Sequence, residues 1–273
     1  MENVTGMLGP MLIVFAVSVF ALHPNWGDLV HQVTAPAIPD KESAATYWYF
    51  AIALFGAAMT PYEGFFFSSG AVEEHWTTKD LGTARLNVIV GFPLGGLLSI
   101  AIAACATIVP LPSQIDVTSL SQTVMPVVAA GGKLFLAFAI VGIVAATFGA
   151  ALETTLSGGY ILAQFLGWPW GKIRRPAEAA RFHVVMIVTI VAGAAVLYTD
   201  VDPIMVTEYS VVFSAIALPL TYLPILIVAN DSEYMGDHTN GRATNMFASV
   251  YLVIILVASV AAIPLMIVTG AGQ

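Results

Sequence analysis

The chain has 273 residues, of which 58% are hydrophobic and 10% charged, and its mean hydropathy is +0.87. A soluble domain carries about 45–50% apolar and about 25% charged residues, so this composition excludes a large soluble catalytic domain. Seventeen acidic residues against nine basic ones exclude a nucleic-acid-binding surface, and the single cysteine, Cys105, excludes a disulfide scaffold and a cysteine metal site.

Seven apolar runs follow one another: residues 6–22, 46–72, 86–109, 134–165, 182–198, 205–229 and 246–269. A helix needs about 20 apolar residues to cross a bilayer. The fold expected is an all-α polytopic membrane protein of about seven transmembrane helices, forming a single transmembrane domain over residues 1–273. The first run has no basic segment or small-residue cleavage site in residues 1–5, so it reads as a span and not as a secretory signal. The fourth run exceeds one crossing and must tilt or protrude.

Basic residues orient the set. With a cytoplasmic N-terminus, the loops after spans two, four and six carry Lys79, Arg85, Lys172, Arg174, Arg175, Arg181 and Arg242. The opposite loops then carry only Lys41 and Lys133. The positive-inside rule selects that orientation, with the C-terminus outside. Trp26, Trp48, Trp76, Trp168 and Trp170 all fall near span ends, where interfacial aromatics belong. The location that fits is the inner membrane of a bacterium, with the lipid bilayer as the protein's first partner.

Acidic residues inside spans are costly and therefore informative. Glu63 lies within the second run, two residues after Pro61 and one before Gly64. Proline lacks the N–H that would continue the helix ladder, so the span is expected to break here. A broken helix bares carbonyls at the end of its first half, near Thr60, beside the Glu63 carboxylate. Carbonyl and carboxylate oxygens suit a hard divalent cation. Glu63 also reads as a mere cap of the second half-helix, with Pro61 a tolerated kink. Glu153 sits among small and hydroxyl residues that let helices approach closely and offer oxygen ligands or interhelical hydrogen bonds. A structural role and a place on the transport pathway are both open for it. Glu208, a turn into the sixth run, either snorkels to water or joins Asp200 and Asp202 in an acidic funnel for cations. The run Glu73-Glu74-His75 looks like a metal cluster but reads better as a solvated loop. No histidine lies mid-span, and no nucleotide-binding loop or catalytic triad is visible, so no enzyme and no bound cofactor are expected.

These residues resemble the C-terminal part of the Nramp divalent-metal transporters, from that family's fifth helix to its eleventh. Met59-Thr60-Pro61-Tyr62-Glu63-Gly64-Phe65-Phe66-Phe67-Ser68-Ser69 stands where the family's sixth helix carries Met-Pro-His-Asn-Leu-Tyr-Leu-His-Ser. Segment 150–160 (Ala-Ala-Leu-Glu-Thr-Thr-Leu-Ser-Gly-Gly-Tyr) is similar to its eighth helix. Ala217-Leu218-Pro219, Pro224 and the segment 230–236 (Asn-Asp-Ser-Glu-Tyr-Met-Gly) are similar to its tenth helix and the following loop. The resemblance implies a partial inverted-repeat fold of the LeuT type with a broken second helix, a divalent metal ion as substrate, and Thr60 and Glu63 as its ligands. Tyr62, Glu153 and Glu208 are then candidates for the pathway.

The departures carry as much information. Thr60 replaces the family's metal-binding methionine, with Met59 one residue away. Tyr62 and Phe67 replace its two histidines, and Glu63 replaces its asparagine. Loss of a thioether favours Mg²⁺ over softer metals, and these changes are similar to the Nramp-related magnesium transporter branch. Mg²⁺ is therefore expected as substrate, Mn²⁺ as a second one, without tight proton coupling. The family's Asp-Pro-Gly motif is absent; Asp202-Pro203 is followed by Ile204. By this alignment four N-terminal helices are missing. The chain then reads as a truncated product, a partial gene, or one part of a split transporter whose N-terminal half is separately encoded. Two other functions compete: a non-transporting membrane subunit or degenerate remnant, and an organic-solute carrier of the LeuT-type fold. The latter needs an anion site at the half-helix N-terminus, where Glu63 would repel a carboxylate.

Overall fold

The structure is a computed structural model that describes residues 6–38, 43–110, 112–113 and 119–270. Two elements of the sequence reading, residues 1–5 and Lys41, lie outside that set. The described residues are mostly helical, with no strand among them. In chain order the helices are α1 (Ile13–Ala21), α2 (Trp26–Thr34), α3 (Ala44–Ala58), α4 (Glu63–Glu73), α5 (Leu81–Leu86), α6 (Phe92–Ile108), α7 (Met125–Phe165), α8 (Ala180–Val196), α9 (Pro203–Val228), α10 (Ser232–Met235) and α11 (Arg242–Val268). A π-helical turn, Asn87–Gly91, joins α5 to α6.

Among the described residues, five helical segments are long and apolar enough to cross a membrane. They are Ala44–Glu73, Thr78–Ile108, Ser121–Phe165, Pro203–Val228 and Arg242–Val268. The protein is thus an all-α polytopic membrane protein. The expected first and fifth spans come out differently. The helix Gly6–Ala21 reaches spanning length only when joined to Trp26–Thr34, from which it is bent by 114°. The residues between hold Pro24 and Asn25, whose side chain accepts the Gly27 N–H at 3.1 Å and starts a new helix. Helix α8, at 17 residues, falls just short of the usual crossing length. Large apolar side chains such as Leu54, Leu97, Leu134, Leu220 and Val260 lie exposed, as they do where the surrounding solvent is hydrocarbon.

The long fourth run, residues 134–165, stays helical throughout, and a kink precedes it. Gly132, with φ 62° and ψ −145°, interrupts α7 in a region that only glycine enters readily. Lys133, expected in a loop, is therefore helical and exposed immediately after that kink.

The chain packs as two compact units. The first comprises residues 1–37 and 74–155, the second residues 38–73 and 156–273. In the first, α1 lies on α6, with Val14, Phe15, Val19, Ala101 and Cys105 buried together and joined by Val127 and Ala139 of α7. The Cys105 thiol donates to the Phe15 carbonyl at 3.4 Å. In the second, α3, α9 and α11 pack mutually around Tyr49, Ile52, Ala53, Val212, Ala215 and Ala262. Gly56 makes this possible: a Cβ there would stand 2.2 Å from the Val211 carbonyl oxygen of α9, the close approach that small residues permit between membrane helices. A further cluster joins the end of α7 to α8 through Leu156, Tyr160, Ala163, Ala179 and Phe182.

Candidate functional site

The second span is broken where Pro61 sits. Helix α3 stops at Ala58, and Met59 is extended, with φ −138° and ψ 101°. The chain thus leaves α3 without folding back over its last carbonyls, as a glycine-terminated helix would. A tight turn follows. The Glu63 N–H donates to the Thr60 carbonyl at 3.2 Å and the Phe66 N–H to the Tyr62 carbonyl at 2.9 Å. Helix α4 begins at Glu63, so this acid occupies its first turn, where the helix dipole favours negative charge.

Met59, Thr60, Pro61, Tyr62 and Glu63 are all half-buried. The Thr60 hydroxyl oxygen is buried and has no hydrogen-bond partner among the described residues. The Thr60 carbonyl keeps one lone pair beyond its turn bond. Oxygens from carbonyl, hydroxyl and carboxylate thus gather at one interruption. Gly64 contributes by size and not by unusual backbone angles, because a Cβ there would meet the Ile225 side chain of α9 at 3.1 Å.

Met59 is already engaged: its sulfur accepts a hydrogen bond from the Tyr251 hydroxyl of α11. Tyr251 in turn stacks edge-on with Tyr222, ring centroids 5.5 Å apart. The thioether adjoining the break is therefore tied to a phenol from a helix nearly two hundred positions away. Sequence reasoning missed this pair, since nothing near Met59 signals a partner so remote.

Glu208 and Glu153 each have surroundings of their own. Glu208 is half-buried on α9, within electrostatic reach of the buried Tyr49. Tyr49 lies about 15 Å along α3 from the break, at 1.5 Å per residue. Its hydroxyl is buried and has no hydrogen-bond partner among the described residues. Glu153 is half-buried on the part of α7 that belongs to the first unit. Around it, Thr154 and Thr155 donate to the carbonyls four residues back, Ala150 at 2.8 Å and Ala151 at 2.6 Å. Those bonds spend the donor protons within α7 itself.

Among the described residues, no group of three or more His, Cys, Asp or Glu is placed to hold a metal ion. The Glu73-Glu74-His75 run divides instead. Glu73 accepts the Tyr160 hydroxyl at 2.5 Å and the Ile173 N–H at 2.7 Å, while Glu74 accepts the Trp76 indole N–H at 3.2 Å. Glu73 thus fastens the end of α4 to α7 and to the loop beyond it, helped by Gln164, which donates to Ser69 at 2.8 Å. No local pattern signals this latch, because its partners lie 87 and 100 positions away.

Comparison with known proteins agrees with this architecture. Residues 1–264 match the model of the Nramp family, described as natural resistance-associated macrophage protein-like. A protein of Vibrio campbellii described as divalent metal cation transporter MntH is 24% identical over 247 residues, covering 89% of this chain and 55% of its own length. Proteins of the same description from Mycobacterium leprae and Caldanaerobacter subterraneus are 23% and 20% identical. They cover 89% and 85% of this chain, and 55% and 53% of their own lengths. The chain spans about half the length of the curated relatives it matches. A family match that takes in almost every residue, on a membrane protein whose second span breaks at Pro61, leads to one conclusion: the chain belongs to the Nramp family.

Proposed function

We propose that this chain is part of a transporter that carries a divalent metal cation across the membrane, the ion being its substrate. Glu63 and Thr60 are the ligands it contributes. The observation that carries this reading is the interruption at residues 59–62, where uncapped carbonyls, an unpartnered buried hydroxyl and a carboxylate adjoin. Hard oxygen donors favour Mg²⁺, with Mn²⁺ a second substrate. Tyr62, Glu153 and Glu208 line or feed the pathway in this proposal, Glu208 from the outer side. The chain sits in a bacterial inner membrane with its N-terminus cytoplasmic, following its loop bases. The curated relatives are described as divalent metal cation transporters and are about twice as long as the matched region. The transporting unit is accordingly this chain together with a segment equivalent to the rest of those relatives.

Uptake of Mg²⁺, and of Mn²⁺ in parallel, into proteoliposomes tests the proposal. The chain is assayed alone and together with such an N-terminal segment. Glu63→Ala is expected to lower uptake at least about tenfold, since a charged ligand is lost from a low-dielectric site. Uptake unchanged by Glu63→Ala in folded protein removes Glu63 from the mechanism. Competition by amino acids without competition by cations favours an organic-solute carrier instead.

A further inference from the structure

Four of the chain's nine basic residues, Lys172, Arg174, Arg175 and Arg181, lie within ten positions, accompanied there by one acid, Glu178. The clustering alone follows from topology. The way the loop between α7 and α8 is held does not. Gly171, with φ 132°, lets the chain pass over Glu73, where a Cβ would stand 2.9 Å from the carboxylate. Glu73 then fixes the Ile173 N–H at 2.7 Å. The Trp168 N–H returns to the Ala163 carbonyl at 2.7 Å, and Trp170 packs edge-on against Tyr160 with centroids 5.7 Å apart. The Glu178 and Ala179 N–H groups both close onto the Arg175 carbonyl, at 2.9 and 3.2 Å. The Arg181 guanidinium lies 5.2 Å from the centre of the Trp168 ring, a favourable cation–π arrangement.

On this frame Arg174, Arg175 and Arg181 are exposed, and no carboxylate among the described residues pairs with Arg174 or Arg175. Apolar side chains are exposed beside them: Phe165 at 84% and Ile173 at 70%. A surface meant for a free anion has no use for these apolar groups. A surface at headgroup depth, flanked by the tryptophans that follow a spanning helix, does.

We propose that the α7–α8 loop is a binding site for the phosphodiester headgroup of an anionic phospholipid, taken by Arg174, Arg175 and Arg181, with Phe165 and Ile173 against the acyl chains. A guanidinium matches phosphate oxygens in pairs, and a basic residue close to an anionic leaflet contributes about fivefold in affinity.

The full chain in neutral detergent, titrated with phosphatidylglycerol or phosphatidylcholine and followed by native mass spectrometry, tests this. Phosphatidylglycerol is expected to bind selectively. Arg174→Gln with Arg175→Gln should weaken that binding about twenty-five-fold, while the two lysine replacements should restore much of it. Raising NaCl to about 0.5 M should weaken binding to the unmodified chain at least about tenfold by screening, a readout that does not depend on the variants folding. Equal binding of phosphatidylcholine, salt-insensitive binding, or unchanged binding by the folded glutamine variant overturns the proposal. Displacement of the lipid by millimolar inorganic phosphate also overturns it and assigns the site to the free anion.

Discussion

Replacing Gly56 by alanine isolates the contact that brings α3 against α9. The added Cβ would stand 2.2 Å from the Val211 carbonyl oxygen, 3.0 Å from the Ala215 Cβ and 3.1 Å from the Ala215 nitrogen. Two of these three neighbours are backbone atoms, which cannot swing aside, so the helices must part by about 1 Å to reach ordinary contact. Parting them also loosens Tyr49, Ile52, Ala53, Val212 and Ala215. Overpacking of this kind costs about 1–3 kcal/mol, against at most about 1 kcal/mol regained from alanine's better helix propensity. Thermal unfolding in detergent should show Gly56→Ala melting roughly 2–12 °C below Gly193→Ala, which shares the propensity gain, at about 2–4 °C per kcal/mol. Gly193→Ala supplies the control. It lies inside α8 with nothing within 4 Å of its would-be Cβ, and should melt at or slightly above the starting protein. If Gly56→Ala behaves like Gly193→Ala, the close approach of α3 and α9 is refuted.

Two further outcomes follow from contacts described above. Glu73→Gln and Tyr160→Phe should each destabilise the protein by about 1.5–3 kcal/mol, the range for hydrogen bonds to charged groups. The double variant should fall short of their sum by about 1 kcal/mol or more, and strict additivity in the melting data argues against the shared bond. Cys105, 1% exposed and hydrogen-bonded to Phe15, should resist a maleimide in folded protein and react fully once the protein is unfolded in detergent at high temperature. Rapid labelling of the folded protein would place the thiol at the surface.

What the sequence revealed is what depends on neighbouring residues. Pro61 beside Glu63 and Gly64 marks the interruption of the second span in the sequence, although Pro219, Pro224 and Pro264 lie inside continuous helices. Apolar length marked the long spans equally well. Gly132 and Gly171 could not be read that way, since a positive φ is demanded by where the chain must go next and leaves no mark on composition. Lys133 looked like a loop residue because it is charged, yet a lysine can end a kinked helix with its amine in water. The bond from Tyr251 to Met59 and the latch at Glu73 were illegible for a different reason. Each joins helices far apart in the chain, and periodicity within one helix says which face is apolar without naming the side chain opposite. At Glu63 the acid and its proline were legible, whereas the unpartnered Thr60 hydroxyl required the turn geometry.

The two halves of the second span answer to different neighbours. Helix α3 is clasped by α9 and α11, whereas the far end of α4 is tied through Ser69 and Glu73 to α7 and its following loop. Any tilt of one half against the other must be absorbed by the φ and ψ angles of residues 59–62, a joint four residues long. Those same residues hold the Thr60 oxygens beside Glu63, so the joint cannot bend without respacing the donors it carries. On the function proposed above, grip and posture are one mechanical variable, and a bound ion stiffens the joint that seats it.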